Sequence, residues 1–189
     1  MRIISGNFKG RKIFLPNDKH TRPLRDLVKE SIFNLLEHSN KINFKIKNAF
    51  ILDLFSGSGS FGFECISRGA KKVIFIENHL EALKILNKNI SQLNIEEKTK
   101  IINEDCFNFL NCHKNFKKKF QMVFMDPPYK EKKLSILIDK IIKLKLLKDN
   151  GAIIIHRHKK EEDQFPKGFN LMLKKNYGVS KIIFGNILS

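Results

Sequence analysis

From Ala49 onward, short apolar runs alternate with amphipathic segments. AFILDL is followed by a Gly-rich loop and FECISRG, VIFIE by LEALKILNKNISQL, KIINED by FNFL, QMVFMD by LSILIDKIIKLKLL, and AIIIH comes near the end. Strand, helix and next strand can share a sheet only through a right-handed crossover. The alternation therefore restricts the chain to an α/β fold with a parallel sheet covered on both faces. The last two runs, NLMLKKN and VSKIIFGNI, are joined by Tyr177 and Gly178 with no room for a helix. They predict a C-terminal antiparallel hairpin, which brings a mostly parallel sheet to seven strands.

Residues 1–48 read differently. RIIS and RKIFL, separated by a Gly-containing stretch, predict a small hairpin, and Thr21 and Pro23 mark a helix start. Leu27, Val28, Ile32, Leu35 and Leu36 then recur at helical spacing and predict one apolar face. This segment carries eleven Lys and Arg against four Asp and Glu, so it forms a basic extension (1–48) ahead of the α/β domain (49–189). The whole chain has 36 Lys and Arg against 19 Asp and Glu, a formal +17, which favours a polyanionic partner and makes nucleic acid the first candidate. Arg2, Lys9, Arg11, Lys12, Arg22 and Arg25 are the candidate phosphate contacts. The Lys-rich stretch NCHKNFKKKF reads as a solvated loop.

At 189 residues the chain can fill one core. Its three cysteines, Cys65, Cys106 and Cys112, form no Cys-x-x-Cys pair, so the expectation is a reduced, cytoplasmic protein without a disulfide framework. No apolar run has signal-peptide or membrane-span character, and neither membrane attachment nor an oligomer is expected. His156 and His158 would share a strand face and His113 adjoins Cys112. No third ligand stands at a familiar spacing, and no metal site is expected.

The first strand ends in ILDLFSGSGSFGFE, where Gly57, Gly59 and Gly62 have the spacing G-x-G-x-x-G. A plain strand-to-helix turn needs one glycine; three let a ligand approach the backbone beside a helix N-terminus. Phe55, Ser56 and Ser58 belong to the same loop. Glu77, at the tip of the second strand with Asn78 behind it, can accept both hydroxyls of a ribose. Asp53 decides which nucleoside. It stands where a pyrophosphate would lie, and a carboxylate there repels phosphate but suits an ammonium or sulfonium group. S-adenosylmethionine carries both. Asp105, just after the third strand, can accept from an adenine amino group or cap the next helix, and the Cys106 backbone can meet a ring nitrogen.

QMVFMDPPY closes the fourth strand. Ligands of an open parallel sheet bind beyond the strands' carboxyl ends, so Asp126, Pro127, Pro128 and Tyr129 face the bound cofactor. Proline has no N–H, so Pro127 and Pro128 present rigid carbonyl acceptors beside the Asp126 carboxylate. Converging acceptors suit an NH₂ group. A nucleobase amine is a poor nucleophile because its lone pair is delocalised; hydrogen bonds to fixed acceptors favour a pyramidal nitrogen and aim it. Tyr129 can stack on the base.

DLFSGSGSFGFE, IEN and DPPY resemble, in the same order along the chain, the motifs of amino-directed nucleic-acid methyltransferases. MRIISGNFKGRKI, TRPLRDLVKESIFNLL and ISRGAKKVIFIEN are further similar to the bacterial family that methylates N2 of guanine 966 in 16S ribosomal RNA. The resemblance implies a Rossmann-like methyltransferase fold with an N-terminal extension, S-adenosylmethionine as donor, and 16S rRNA or the small subunit as partner. By position, Asp53, Gly57, Gly59, Glu77 and Asp105 would line the cofactor, and Asp126 to Tyr129 would hold the base. The chain departs from the family pattern at His79, at HRH (156–158) and at RPLRDLVKE. DPPY alone also permits adenine N6 as the acceptor, and a non-catalytic RNA-binding assembly factor is the alternative of another class.

Overall fold

The computed structural model describes residues 1–17, 24–40, 42, 44–112, 119–128 and 131–188. Strands β1 (Phe50–Asp53), β2 (Lys72–Glu77), β3 (Thr99–Asn103), β4 (Phe120–Met125), β5 (Leu147–His158), β6 (Phe169–Tyr177) and β7 (Ser180–Ile187) form one sheet. Its order is β3-β2-β1-β4-β5-β7-β6. The first five strands run parallel, β7 pairs antiparallel with β5, and β6 antiparallel with β7. This is the α/β, Rossmann-like methyltransferase fold with its C-terminal antiparallel hairpin. Strand order reverses between β1 and β4, so a crevice opens beyond their carboxyl ends.

Helices α1 (Asp26–His38), α2 (Ser60–Ser67) and α3 (Leu80–Leu93) cover one face, and α4 (Cys106–Cys112) and α5 (Leu134–Lys143) the other. The parallel strands are buried on both sides, which explains their unbroken apolar runs: Val73 to Ile76 and Met122 to Met125 are all in the core.

The N-terminal hairpin is present in reduced form. Ile3 N–H donates to the Arg11 carbonyl at 3.0 Å, and Ile13 N–H to the Met1 carbonyl at 2.9 Å, around one antiparallel bridge between Arg2 and Lys12. Ile3, Ile13, Leu24, Val28, Ile32 and Phe33 join the same apolar cluster as Ile51, Phe75 and Phe124 of the sheet. The hairpin is also bonded to α2 and α3: Ile4 and Ser5 N–H donate to the Glu64 carboxylate at 2.7 and 3.0 Å, and Asn89 bonds both Phe14 N–H and its carbonyl.

Two details depart from the sequence pattern. Leu27, expected on the apolar face of α1, is 69% exposed, and Lys29 and Phe33 are buried instead. The helix is rolled so that Lys29 meets Glu64, which a pattern of apolar residues cannot register. The hairpin turn is Gly178-Val179 rather than Tyr177-Gly178, because Tyr177 still pairs with Ser180. The helix start at Thr21 and Pro23 lies outside the described residues.

Candidate active site

The crevice at the β1/β4 reversal holds a cavity of about 620 Å³. Asp53, Phe55, Ser56, Gly57, Ser58, Glu77, Asn78, Asp105, Cys106, Asp126, Pro127 and Pro128 all line it. Gly59 sits behind the wall at φ 84°, and Tyr129 lies outside the described residues. The three-glycine spacing has its physical cause here. A Cβ on Gly59 would lie 2.5 Å from Leu86 of α3, and one on Gly62 would lie 2.2 Å from the Phe75 ring of β2. Only glycine lets α2 seat this close to the sheet and aim its N-terminus at the cavity.

Asp53 ends β1 and is 1% exposed, and neither of its carboxylate oxygens has a hydrogen-bond partner among the described residues. Burial, with the Asp126 and Glu77 carboxylates nearby, pushes its carboxyl well above the usual range. Such a group calls for a cation or a donor. Glu104 and Glu131 bring the cavity's carboxylates to six, with Asp53, Glu77, Asp105 and Asp126, and no Lys or Arg is among the described lining residues. An acidic cavity in a +17 chain excludes a polyphosphate ligand and fits a sulfonium and an ammonium.

Glu77 is already tied to the backbone. Its Oε2 accepts from Gly57 N–H at 2.7 Å, and its Oε1 from Asn78 and His79 N–H at 2.9 Å each. It clamps the Gly-rich loop to the end of β2, and lone pairs remain for a ribose. Asp105 Oδ1 accepts from Phe107 N–H at 2.8 Å and Asn108 N–H at 3.2 Å, so it caps α4 while facing the cavity. Cys106 is buried; burial first, then Asp105 and Glu131, pushes its thiol up to about 12, so it stays protonated and does not serve as a nucleophile.

The end of β4 differs in one respect from the sequence reading, in which both proline carbonyls faced outward as acceptors. The Pro128 carbonyl is engaged: Glu131 N–H donates to it at 2.9 Å and Arg157 Nη1 at 3.3 Å. Arg157, itself 2% exposed, also donates to the Glu131 carbonyl at 2.9 Å and to Asp163 at 2.9 Å. Among the described residues nothing donates to the Pro127 carbonyl, and Pro127 lines the cavity beside Asp126.

His156 is a residue at the site that the sequence motifs do not single out. In the sequence it stands out only as part of the departure HRH (156–158) from the family pattern. Its Nδ1 lies 2.8 Å from Asp126 Oδ1 and its Nε2 2.8 Å from Ser180 Oγ. The signal was available in outline: an ionisable residue at the carboxyl end of the strand beside β4. Of the basic residues, Arg2, Lys9, Arg11, Lys12 and Arg25 are exposed, and Arg22 lies outside the described residues. Arg25 adjoins Leu24, which lines the cavity, so the extension reaches the site's rim.

Fold and site together define an S-adenosylmethionine-dependent methyltransferase. The orphaned Asp53 carboxylate, the acid at the tip of β2 and the glycine cradle fit that cofactor. The chain belongs to the family described as conserved hypothetical protein 95, which it matches over residues 1–186. It is 36% identical over 92% of its length to the ribosomal RNA small subunit methyltransferase D of Buchnera aphidicola subsp. Acyrthosiphon pisum, covering 86% of that protein. With the protein of the same name from Haemophilus influenzae it shares 34% identity over 95% of this chain and 90% of the relative. The solved structure of yhhF from Escherichia coli superposes over 100% of this chain and 98% of that one, at 27% identity and a TM-score of 0.84.

Proposed function

We propose that this protein transfers a methyl group to the exocyclic N2 of a guanine in 16S rRNA, within the small ribosomal subunit or its precursor. The observation that carries this reading is the presence of Asp126 and the Pro127 carbonyl on the wall of the same cavity as the unpaired Asp53. The similarity to relatives named ribosomal RNA small subunit methyltransferase D supports the choice of substrate, and the net charge supports an RNA.

S-adenosylmethionine, when bound, supplies an electrophilic methyl group. Asp53 would hold its cationic portion, Glu77 its ribose, and Asp105 with Cys106 its adenine edge. Asp126 and the Pro127 carbonyl would then accept the two amine hydrogens of the target base, restoring the nitrogen lone pair and directing it at the donor. Transfer leaves the nitrogen cationic, and Asp126 can take the proton it sheds. Tyr129 would stack on the extruded base. Residues 1–48 would serve as the RNA-contacting extension, with Arg2, Lys9, Arg11, Lys12, Arg22 and Arg25 on phosphates, and the protein would act as a cytoplasmic monomer.

Mass mapping of modified nucleosides in 16S rRNA from cells with and without the gene tests this. N2-methylguanosine that disappears with the gene and returns with purified protein is the expected outcome. Loss of an N6-methyladenosine, or of no methyl group, overturns it.

A further inference from the structure

His156 reaches Asp126 by register. Met125 of β4 pairs with Ile155 of β5, so Asp126 and His156 are the next residues of neighbouring strands. By strand alternation both continue the rows of Phe124 and Ile154, which lie in the same core cluster. The imidazole, 3% exposed, therefore stands beside the carboxylate and is held at its far end by Ser180, 4% exposed, at the start of β7.

We propose that His156 is a positioning residue for methyl transfer: it donates from Nδ1 to Asp126 Oδ1 and stops rotation of the carboxylate that meets the target amine. This rests on the reading of Asp126 as the amine acceptor. An ionised carboxylate can only accept, so a hydrogen bond at 2.8 Å requires the proton on Nδ1. Nε2 is then free to accept from the Ser180 hydroxyl, which can reorient to suit. With Nδ1 already protonated, His156 cannot take the proton shed by the amine. Its role is orientation, comparable to that of a group that fixes a catalytic side chain from behind.

The test compares His156→Leu, His156→Asn and Asp126→Ala for kcat, KM for RNA and Kd for S-adenosylmethionine. Asparagine places an NH₂ where Nδ1 stands; leucine places nothing. The leucine variant should lose at least tenfold in kcat with Kd for the cofactor within about twofold, and asparagine should recover most of the loss. If leucine keeps native kcat, or asparagine is no better than leucine, His156 does not position Asp126. An active Asp126→Ala variant would instead overturn the acceptor reading itself. Nitrogen NMR of histidine in the native protein decides the matter without relying on the leucine variant's folding. The proposal requires a protonated Nδ1 whose resonance moves in Asp126→Ala, and a His156 protonated only on Nε2 overturns it.

Discussion

Lys29 of α1 and Glu64 of α2 face each other 4.0 Å apart, and neither side chain has any exposure to solvent. The Lys29 ammonium also donates to the Arg2 carbonyl at 2.8 Å and to Ser60 Oγ at 3.1 Å, while Glu64 accepts from Ile4 and Ser5 N–H and from Arg68 Nε. Burial lowers the Lys29 pKa, with the Glu64 and Asp26 charges opposing that shift. One buried network thus joins the basic hairpin, α1 and Ser60, the first residue of the helix that follows the Gly-rich loop.

Removing the acid from this network should therefore cost more than removing the base. Glu64→Ala takes from the buried Lys29 ammonium its buried counter-charge, leaving only the part-exposed Asp26 carboxylate, orphans the Ile4 and Ser5 N–H groups, and should destabilise the protein by about 3–5 kcal/mol. Lys29→Met should cost less, because Glu64 keeps Arg68 and a buried charge is removed. Urea unfolding of both variants decides it, and equal or reversed losses would mean that the ion pair is not what secures the extension.

Much of this fold was legible because its signals are local. LEALKILNKNISQL coincides with α3, and Asp53, Glu77 and Asp126 are readable because each is an acid ending an apolar run. The helix read from LSILIDKIIKLKLL runs past the true end of α5 at Lys143. There the chain turns at Lys145 with φ 50°, and Leu146 and Leu147 enter the core, without a Gly or Pro to announce the stop. The non-local pairs were not legible. A buried Lys29 needs an acid 35 positions away on another helix, and the His156–Asp126 contact needs the register of two strands 30 positions apart. Engagement of the Pro128 carbonyl by Arg157 depends on the same register.

Asp126→Ala should abolish methyl transfer while S-adenosylmethionine affinity changes little, since Asp53 and Glu77 remain. Single-turnover assays together with calorimetry separate the two effects. Near-native turnover would refute the amine-acceptor assignment.

For Glu77 the structure distinguishes two substitutions. Alanine removes the acceptors of Gly57, Asn78 and His79 N–H as well as the proposed ribose contact, and should weaken cofactor binding by roughly 1–3 kcal/mol while loosening the loop. Glutamine keeps one acceptor oxygen and should fall between alanine and native. Calorimetric affinities that do not follow this order would remove Glu77 from the cofactor site.

Cofactor binding should expel a proton from Asp53. Its carboxyl in the folded protein titrates well above the ordinary value of 3.8, chiefly through burial. Between that value and the raised one, the folded protein holds a proton that the unfolded chain lacks, so Asp53 supports the free fold less as pH rises through the window. A cationic ligand favours the ionised form. Affinity for S-adenosylmethionine should thus rise with pH across the window, with up to one proton released per cofactor bound. Calorimetry in buffers of different ionisation enthalpy counts that proton, and Asp53→Asn should eliminate it. Binding without proton release anywhere in the window would contradict the pairing of Asp53 with the cationic group.

Arg2 and Lys12 oppose each other across the N-terminal bridge, Lys9 and Arg11 lie in its turn, and Arg25 adjoins the cavity rim through Leu24. All five are exposed, whereas the cavity itself is acidic, so the proposed RNA surface and the cofactor cavity carry opposite charge. Contacts to phosphate release counterions, and each one lost should reduce the slope of log affinity against log salt by about 0.7–0.9. Replacing Lys9, Arg11, Lys12 and Arg25 by alanine should weaken RNA binding and flatten that slope, with S-adenosylmethionine affinity unchanged. RNA titrations at several salt concentrations measure both. Native affinity and slope in the quadruple variant would move the RNA surface away from the hairpin, with Lys117, Lys118 and Lys119 as the next residues to replace; of these only Lys119 falls among the described residues.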